Sequence, residues 1–392
     1  MRLKQIPEDF QVEELIELPL SEEGAYTYYR IKKAGIATLD VQNDLAERLK
    51  VTPSGLVFPA LKDRHAVAVQ YASVRKRGPE TVQGEGYAAS RVGRGSRALR
   101  PSDLRGNRFT LVVRAVPPGL SKTLADALLK LQNYGMPNYF DDQRFGSLTA
   151  RGFIGKEILK RDAEAVLRMY LAEPMVGDPR HVREFKRLVT SHWGQWGYLL
   201  HQAPRPSNFR SVITYLKDHP HDYRKAVNLI RDRLLSIYLA AYQSWVWNHI
   251  VGFYLESEFG PATRYVRIMR TRFPLPEPGA ALAALQGVSL DLPRLTARYE
   301  GAFAEAAAKA FEMEGLDVRD FKARILRRAY LAKGQRSVTF APGDVEVSTP
   351  SSDELNEGQE RVTVSFTLLP GQYATLVMKA VASLVEARIR VR

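Results

Sequence analysis

One aspartate stands among cations in Lys62-Asp63-Arg64-His65. Positive neighbours favour the charged form of a carboxylate and suit it to catalysis. Read alone, the tetrad is a solvated charged turn. Apolar strand-like runs flank it, however: Leu56-Val57-Phe58 before it and Val67 to Val74 after it. Asp63 therefore sits in a short connection between buried strands, a place where rigid scaffolds often hold sites. No second carboxylate lies within the segment, and a glycosidase needs two flanking one bond. Asp141 and Asp142 are the candidates for that second acid and read better as loop or helix-start residues.

A second group, Asn138-Tyr139-Phe140 with Gln143, Arg144 and Phe145, interleaves flat, polar and cationic side chains. Rings can stack an unpaired base, amides can read its edge and arginine can hold a phosphate. An aromatic helix end packed in a core fits the same residues equally well. A third group is the run Arg91, Arg94, Arg97 and Arg100, with Asp103 the single acid from Arg91 to Arg108. A period of three suits neither a helix face nor a strand face, so a glycine-rich loop is expected, acting as a phosphate-contacting arm. Asp218-His219-Pro220-His221-Asp222 has metal-compatible side chains, but its spacing matches no metal motif and Pro220 predicts a turn before a helix. His249, beside Trp245 and Trp247, reads as a core histidine. No phosphate-binding G-x-x-x-x-G-K-[ST], dinucleotide G-x-G-x-x-G or esterase G-x-S-x-G is present.

The elements that must position these groups belong to a chain of 392 residues, enough for two or three domains, with 45% hydrophobic and 26% charged residues. The absence of cysteine excludes disulfides, thiolate metal sites and thiol nucleophiles, and fits a reducing cytoplasm. A net charge of +14 points to a polyanionic partner, nucleic acid first and an anionic membrane second. Met1 to Phe10 lacks the apolar core of a signal peptide, and Leu234 to Phe253 is interrupted by polar residues, so a buried helix is expected there rather than a membrane span.

Strands are expected within 10–31, at 56–58, 67–74 and 109–113, and again at 337–340 and 362–367. Thr38 reads as the cap of a helix whose apolar stripe is Val41, Leu45, Ala46 and Leu49. Further helices are expected over 121–134, 226–256, 302–313 and 372–389. Strands at both ends around a helical middle predict one α+β domain built from both termini, with a second domain inserted between.

Four blocks in order resemble the TruD family of tRNA pseudouridine synthases. They are Lys4 with Pro7-Glu8-Asp9-Phe10-Gln11-Val12-Glu13-Glu14; Lys62-Asp63-Arg64-His65-Ala66 with Gln70; Leu104-Arg105-Gly106-Asn107-Arg108-Phe109-Thr110 followed by Pro137-Asn138-Tyr139-Phe140 and Gln143-Arg144-Phe145-Gly146; and Leu369-Pro370-Gly371 with Tyr373-Ala374-Thr375. Tyr242-Gln243-Ser244 with Trp247-Asn248 is similar to a helix of the archaeal and eukaryotic branch. Departures fall at Pro59-Ala60, Ala68 and Lys379-Ala380.

The resemblance implies a catalytic domain over 1–164 and 332–392, with a mixed, largely antiparallel sheet, and an inserted helix-rich α/β TRUD domain over 165–331. It implies isomerisation of uridine to pseudouridine in tRNA at position 13, without cofactor or metal, by a cytoplasmic, monomeric protein that does not bind membrane. Asp63 would be the essential carboxylate, either attacking the sugar or abstracting a ribose proton, and Lys4 would keep it ionised and oriented. Phe140 would stack near the flipped base, Asn138 would contact it or the adjacent loop, and Phe10 and Tyr373 would line the site. RNA contacts are expected from Arg64, His65, Arg91, Arg94, Arg97, Arg100, Gln143 and Arg144.

Overall fold

The computed structural model describes residues 1–64, 66–205 and 207–391. The chain forms two compact units, one of residues 1–136, 277–284 and 340–392, the other of 137–276 and 285–339. The second unit thus takes in 137–164 and 332–339, which the sequence assigns to the catalytic domain, and the first takes in 277–284, which it assigns to the insertion.

The first unit is built on a sheet with eight principal strands: β1 (Phe10–Ile16), β2 (Tyr26–Lys33), β3 (Val67–Val74), β4 (Thr81–Gly84), β5 (Tyr87–Gly95), β6 (Leu104–Val116), β7 (Gly343–Val347) and β8 (Glu360–Leu368). Their spatial order is β7-β8-β6-β1-β3-β2-β5-β4. Along this path only β1 and β3 run parallel, so the sheet is mixed and largely antiparallel. Helix α1 (Thr38–Arg48) supplies Val41, Leu45 and the adjoining Leu49 to a core with Tyr29, Ile31, Ala72 and Val74. Helix α2 (Leu120–Tyr134) buries Leu124, Leu128 and Leu131 and stops at Gly135, whose φ of +78° suits glycine.

The second unit is mainly helical. It includes α3 (Ile154–Lys160), the short α4 (Tyr223–Val227), the long α5 (Asp232–Phe259) and α6 (Ala302–Glu314). Helix α5 buries Leu239, Tyr242, Val246, Trp247 and Ile250, which explains its apolar length. Among the described residues no helix is long and apolar enough to cross a membrane.

Several expectations change. The helix expected over 226–256 is two helices, because Asn228 turns its side chain back onto the backbone and Arg231 is non-helical. The final helix spans only Ala374–Leu384 and is followed by Glu386 in a left-handed conformation. Thr38 is the first helical residue rather than the cap, because its hydroxyl is engaged elsewhere. The region expected to be a glycine-rich loop contains the β4–β5 hairpin, turned at Gly86 (φ +72°). Between Tyr28 and Tyr29, β5 carries a register shift, so Arg91 pairs with Tyr29 and Arg94 with Thr27. Residues three apart on β5 thereby face residues two apart on β2, and a period of three survives in a strand through a bulge.

Candidate active site

Asp63 lies in the connection that leads into β3, in the first unit. Its Oδ2 is 3.4 Å from the Lys4 ammonium, and its side chain is 41% exposed. Lys4 also sits 3.9 Å above the centre of the Phe10 ring, so one cation faces a carboxylate and an aromatic face together. Lys4 holds a φ of +57°, a left-handed conformation that costs a non-glycine residue about 1–2 kcal/mol. Phe10 meets Phe109 edge-on at 5.9 Å, and Phe109 meets Phe366 at 6.0 Å. Strand register sets Phe366 directly opposite Phe109, and Phe10 diagonal to Phe109 beside Leu111, so the three rings share one face of β1, β6 and β8.

The segment Lys62-Asp63 is fastened from below. Lys62 forms an ion pair at 3.1 Å with Glu14, whose carboxylate is fully enclosed, and also donates to Asn107 Oδ1. Burial pushes the Glu14 carboxyl above its usual range, against the pull of Lys62 and the Tyr71 N–H. The Lys62 N–H donates to Thr38 Oγ1 at 2.9 Å, and the Thr38 hydroxyl donates to Gln70 Oε1 at 3.0 Å. Lys33 is buried and donates to the carbonyls of Asp63 (2.6 Å) and Ile36 (2.9 Å). Burial pulls its pKa down to about 8, while Asp63 opposes the shift.

Sequence reasoning missed Glu14, Lys33, Thr38 and Asn107 as members of this site. The available signal was a polar residue at an inward position of a buried strand: Glu14 follows Phe10 and Val12 on one face, and Lys33 follows Tyr29 and Ile31. Asp9, between Pro7 and Phe10, has a structural task. It accepts from Arg114 Nε at 2.7 Å and from the Ile6 N–H, while Arg114 also reaches Asp353 at 2.9 Å. This buried cluster anchors the turn that carries Lys4 and Phe10.

Other expected residues have particular surroundings. Arg64 pairs with Asp40 at 3.1 Å, and His65 lies outside the described residues. Arg91 pairs with Glu80, and Arg94 donates to the Glu22 carbonyl. Arg97 grips both oxygens of Asp103, at 2.8 and 2.7 Å, which fixes it in the fold. Arg100 is exposed, and its backbone N–H donates to Asp103. Tyr373 stands at the start of the helix Ala374–Leu384.

Asn138, Phe140, Gln143 and Arg144 belong to the second unit. Asn138 donates to Ser337 O and accepts from Arg336 at 2.6 Å. Phe140 is 8% exposed and exchanges two backbone bonds with the Asn248 amide. Its ring meets Trp247 edge-on at 5.6 Å and carries Arg336 4.1 Å above it and Arg144 at 5.5 Å. Arg336, not anticipated from the sequence, therefore organises the whole Asn138-Tyr139-Phe140 turn. Arg144 also donates to Ser244 Oγ at 3.0 Å, and Gln143 and Arg144 line a groove of about 540 Å³ within this unit. Asp141 opens a short turn and Asp142 accepts the Met269 N–H, as loop and turn residues would.

Among the described residues no group of three or more histidine or acidic side chains could hold a metal. Asp222 instead caps α4 by accepting from Lys225 N. His249 is packed against Trp245 and Phe273, and burial lowers its pKa to about 4.

Comparison with known proteins adds the chain's relatives. The model of the family tRNA pseudouridine synthase D (TruD) matches residues 1–264. The Methanococcus maripaludis protein named "Probable tRNA pseudouridine synthase D 1" is 31% identical, over 97% of this chain and 99% of its own length. The tRNA pseudouridine synthase D of Aquifex aeolicus is 27% identical over 97% of each chain. A crystal structure of a Methanosarcina mazei protein assigned to TruD superposes with a TM-score of 0.71 at 22% identity, covering 98% of this chain and 93% of that one. The mixed, largely antiparallel sheet with its Lys4–Asp63 pair is thus found in a chain that belongs to the TruD family of tRNA pseudouridine synthases.

Proposed function

We propose that this protein isomerises uridine to pseudouridine at position 13 of tRNA, with Asp63 as the essential carboxylate and with no metal or organic cofactor. The first unit carries the chemistry and the second helps to recognise tRNA. In this reading it works as a monomer in the cytoplasm.

The observation that carries the reading is the state of Asp63. Its carboxylate is half-exposed beside Lys4, while its backbone is held by buried Lys33 and its neighbour Lys62 by buried Glu14 and Thr38. A solvated charged turn needs no such foundation. The reaction breaks the bond from ribose C1′ to uracil N1, rotates the base and joins C1′ to C5. The C5 hydrogen leaves as a proton and N1 regains one. The target base must first leave its stack, at a cost of a few kcal/mol. Asp63 acts at the ribose, Lys4 sets the carboxylate's position, and the contacting rings of Phe10, Phe109 and Phe366 give an apolar side that keeps water from the detached base.

The test is tritium release from tRNA labelled at uridine C5, with filter binding on the same preparation. Asp63→Asn is expected to release no label and to bind tRNA at least as well as the parent. Asp63→Glu is expected to fail too, because a shift of about 1 Å costs roughly a hundredfold. Normal release by Asp63→Asn would end the reading.

A further inference from the structure

The second unit holds a basic concavity of about 290 Å³ between α4 and the segment 324–327. Arg224, Lys225, Arg324 and Arg327 line it, against the single carboxylate of Asp222. Both oxygens of that carboxylate are already occupied, one by the Tyr215 hydroxyl at 2.6 Å and the other by the Lys225 N–H at 3.1 Å. Arg224, Arg324 and Arg327 have no ion-pair partner among the described residues. Like charges gathered at one concave spot repel each other, so the arrangement favours an anion that comes from outside.

The concavity is also built rather than incidental. Asn228 donates to the carbonyls of Arg224 and Ile325, both at 2.8 Å, and accepts from the Arg327 N–H at 2.8 Å. One half-buried amide thus ties the Arg224 wall to the Ile325–Arg327 wall. Beside it, Tyr330 is 72% exposed and is tethered by its hydroxyl to the Arg327 carbonyl at 3.3 Å. A cationic cradle next to an exposed ring matches the two needs of an RNA strand, phosphate neutralisation and base stacking.

We propose that this concavity is a phosphodiester-docking site for the RNA substrate, with Arg224, Arg324 and Arg327 on backbone phosphates and Tyr330 against an unpaired base. It rests on the pseudouridine-synthase reading and adds a subsite to it. It uses arginines from 224 and 324–327 and leaves the 91–100 run aside. Guanidinium groups hold phosphate oxygens in a fork geometry, and their charge releases counterions from the nucleic acid.

The experiment uses the full chain and a labelled tRNA transcript. Arg224→Ala/Arg324→Ala/Arg327→Ala is expected to raise KM and Kd by roughly tenfold while kcat at saturation stays at the parent value. Its log–log salt slope should be shallower by about 2 to 3, at 0.7–0.9 for each lost phosphate. The three arginine-to-lysine changes should restore most of that slope. Tyr330→Ala should weaken binding by roughly fivefold or more with the salt slope unchanged, since stacking releases no counterion. Titration with inorganic phosphate separates the sources. Saturable phosphate binding lost in the triple variant, with KM, Kd and slope for tRNA unmoved, marks a small-anion site and overturns the proposal. Unmoved tRNA parameters without phosphate binding overturn it as well. Failure of the parent chain itself to release tritium would instead count against the pseudouridine-synthase reading.

Discussion

Lys33 shows how much one buried cation does. It holds the Asp63 carbonyl from within the sheet, and burial lowers its pKa to about 8. In the unfolded chain the same lysine titrates near 10.4. Between those values the unfolded state binds more protons than the folded one, so stability rises with pH across that window. Below about pH 8 both states are protonated, and the folded state bears the full cost of a desolvated ammonium. Urea unfolding at pH 7 to 10 should therefore show a rising contribution in the parent that Lys33→Met lacks. A parallel pH dependence in the two proteins would mean that Lys33 reaches solvent. Asp63 itself was legible from its charged tetrad between apolar runs. Lys33 is easily passed over, because a lysine after Tyr28-Tyr29-Arg30-Ile31-Lys32 reads as the solvated end of a strand. Its alternation with Tyr29 and Ile31 was the signal for an inward position, and the register with β3 sets it beside Ala68.

At the scale of elements, the site depends on how a helix start is joined to a loop. Thr38 opens α1, yet its hydroxyl accepts the Lys62 N–H and donates to the buried Gln70. Thr38→Val keeps the shape and removes both bonds. Leaving buried polar groups unmet costs about 1–3 kcal/mol. The expected result is a lower urea midpoint and a lower kcat, with tRNA affinity unchanged and Thr38→Ser restoring both. A normal kcat would detach α1 from the site. The element order was largely readable from period and turn residues: β1, β3, α1, α2, α6 and β8 fall where the sequence places them. The β4–β5 hairpin was not, because glycines at 84, 86, 93 and 95 imitate a loop, and the bulge disguises the strand period. Nor did the arginine run announce that Arg97 is bound to Asp103, since that partner stands six residues away across a turn.

At the scale of the molecule, the first unit is closed by parts of the chain that are far apart in sequence. Strand β6 lies between β1 and β8, and Arg114 on it joins Asp9 to Asp353. The strand–helix–strand order makes an insertion between two ends readable as an expectation. The edges of the compact units were not, because they are set by which core a residue joins, and 137–164 join the helical one. All four tryptophans, at 193, 196, 245 and 247, fall in the second unit. Tryptophan fluorescence therefore reports on that unit, whereas far-UV circular dichroism reports on both. Arg114→Met removes one buried cation and leaves Asp9 and Asp353 without it. Breaking a buried pair in this way costs about 3–5 kcal/mol. Each unit has its own core, so the loss should fall on the first. The circular dichroism transition is expected to begin at lower urea while the tryptophan transition keeps its midpoint. If both transitions moved together, the two units would be one cooperative body, and damage to Arg114 would be felt as far as Phe140.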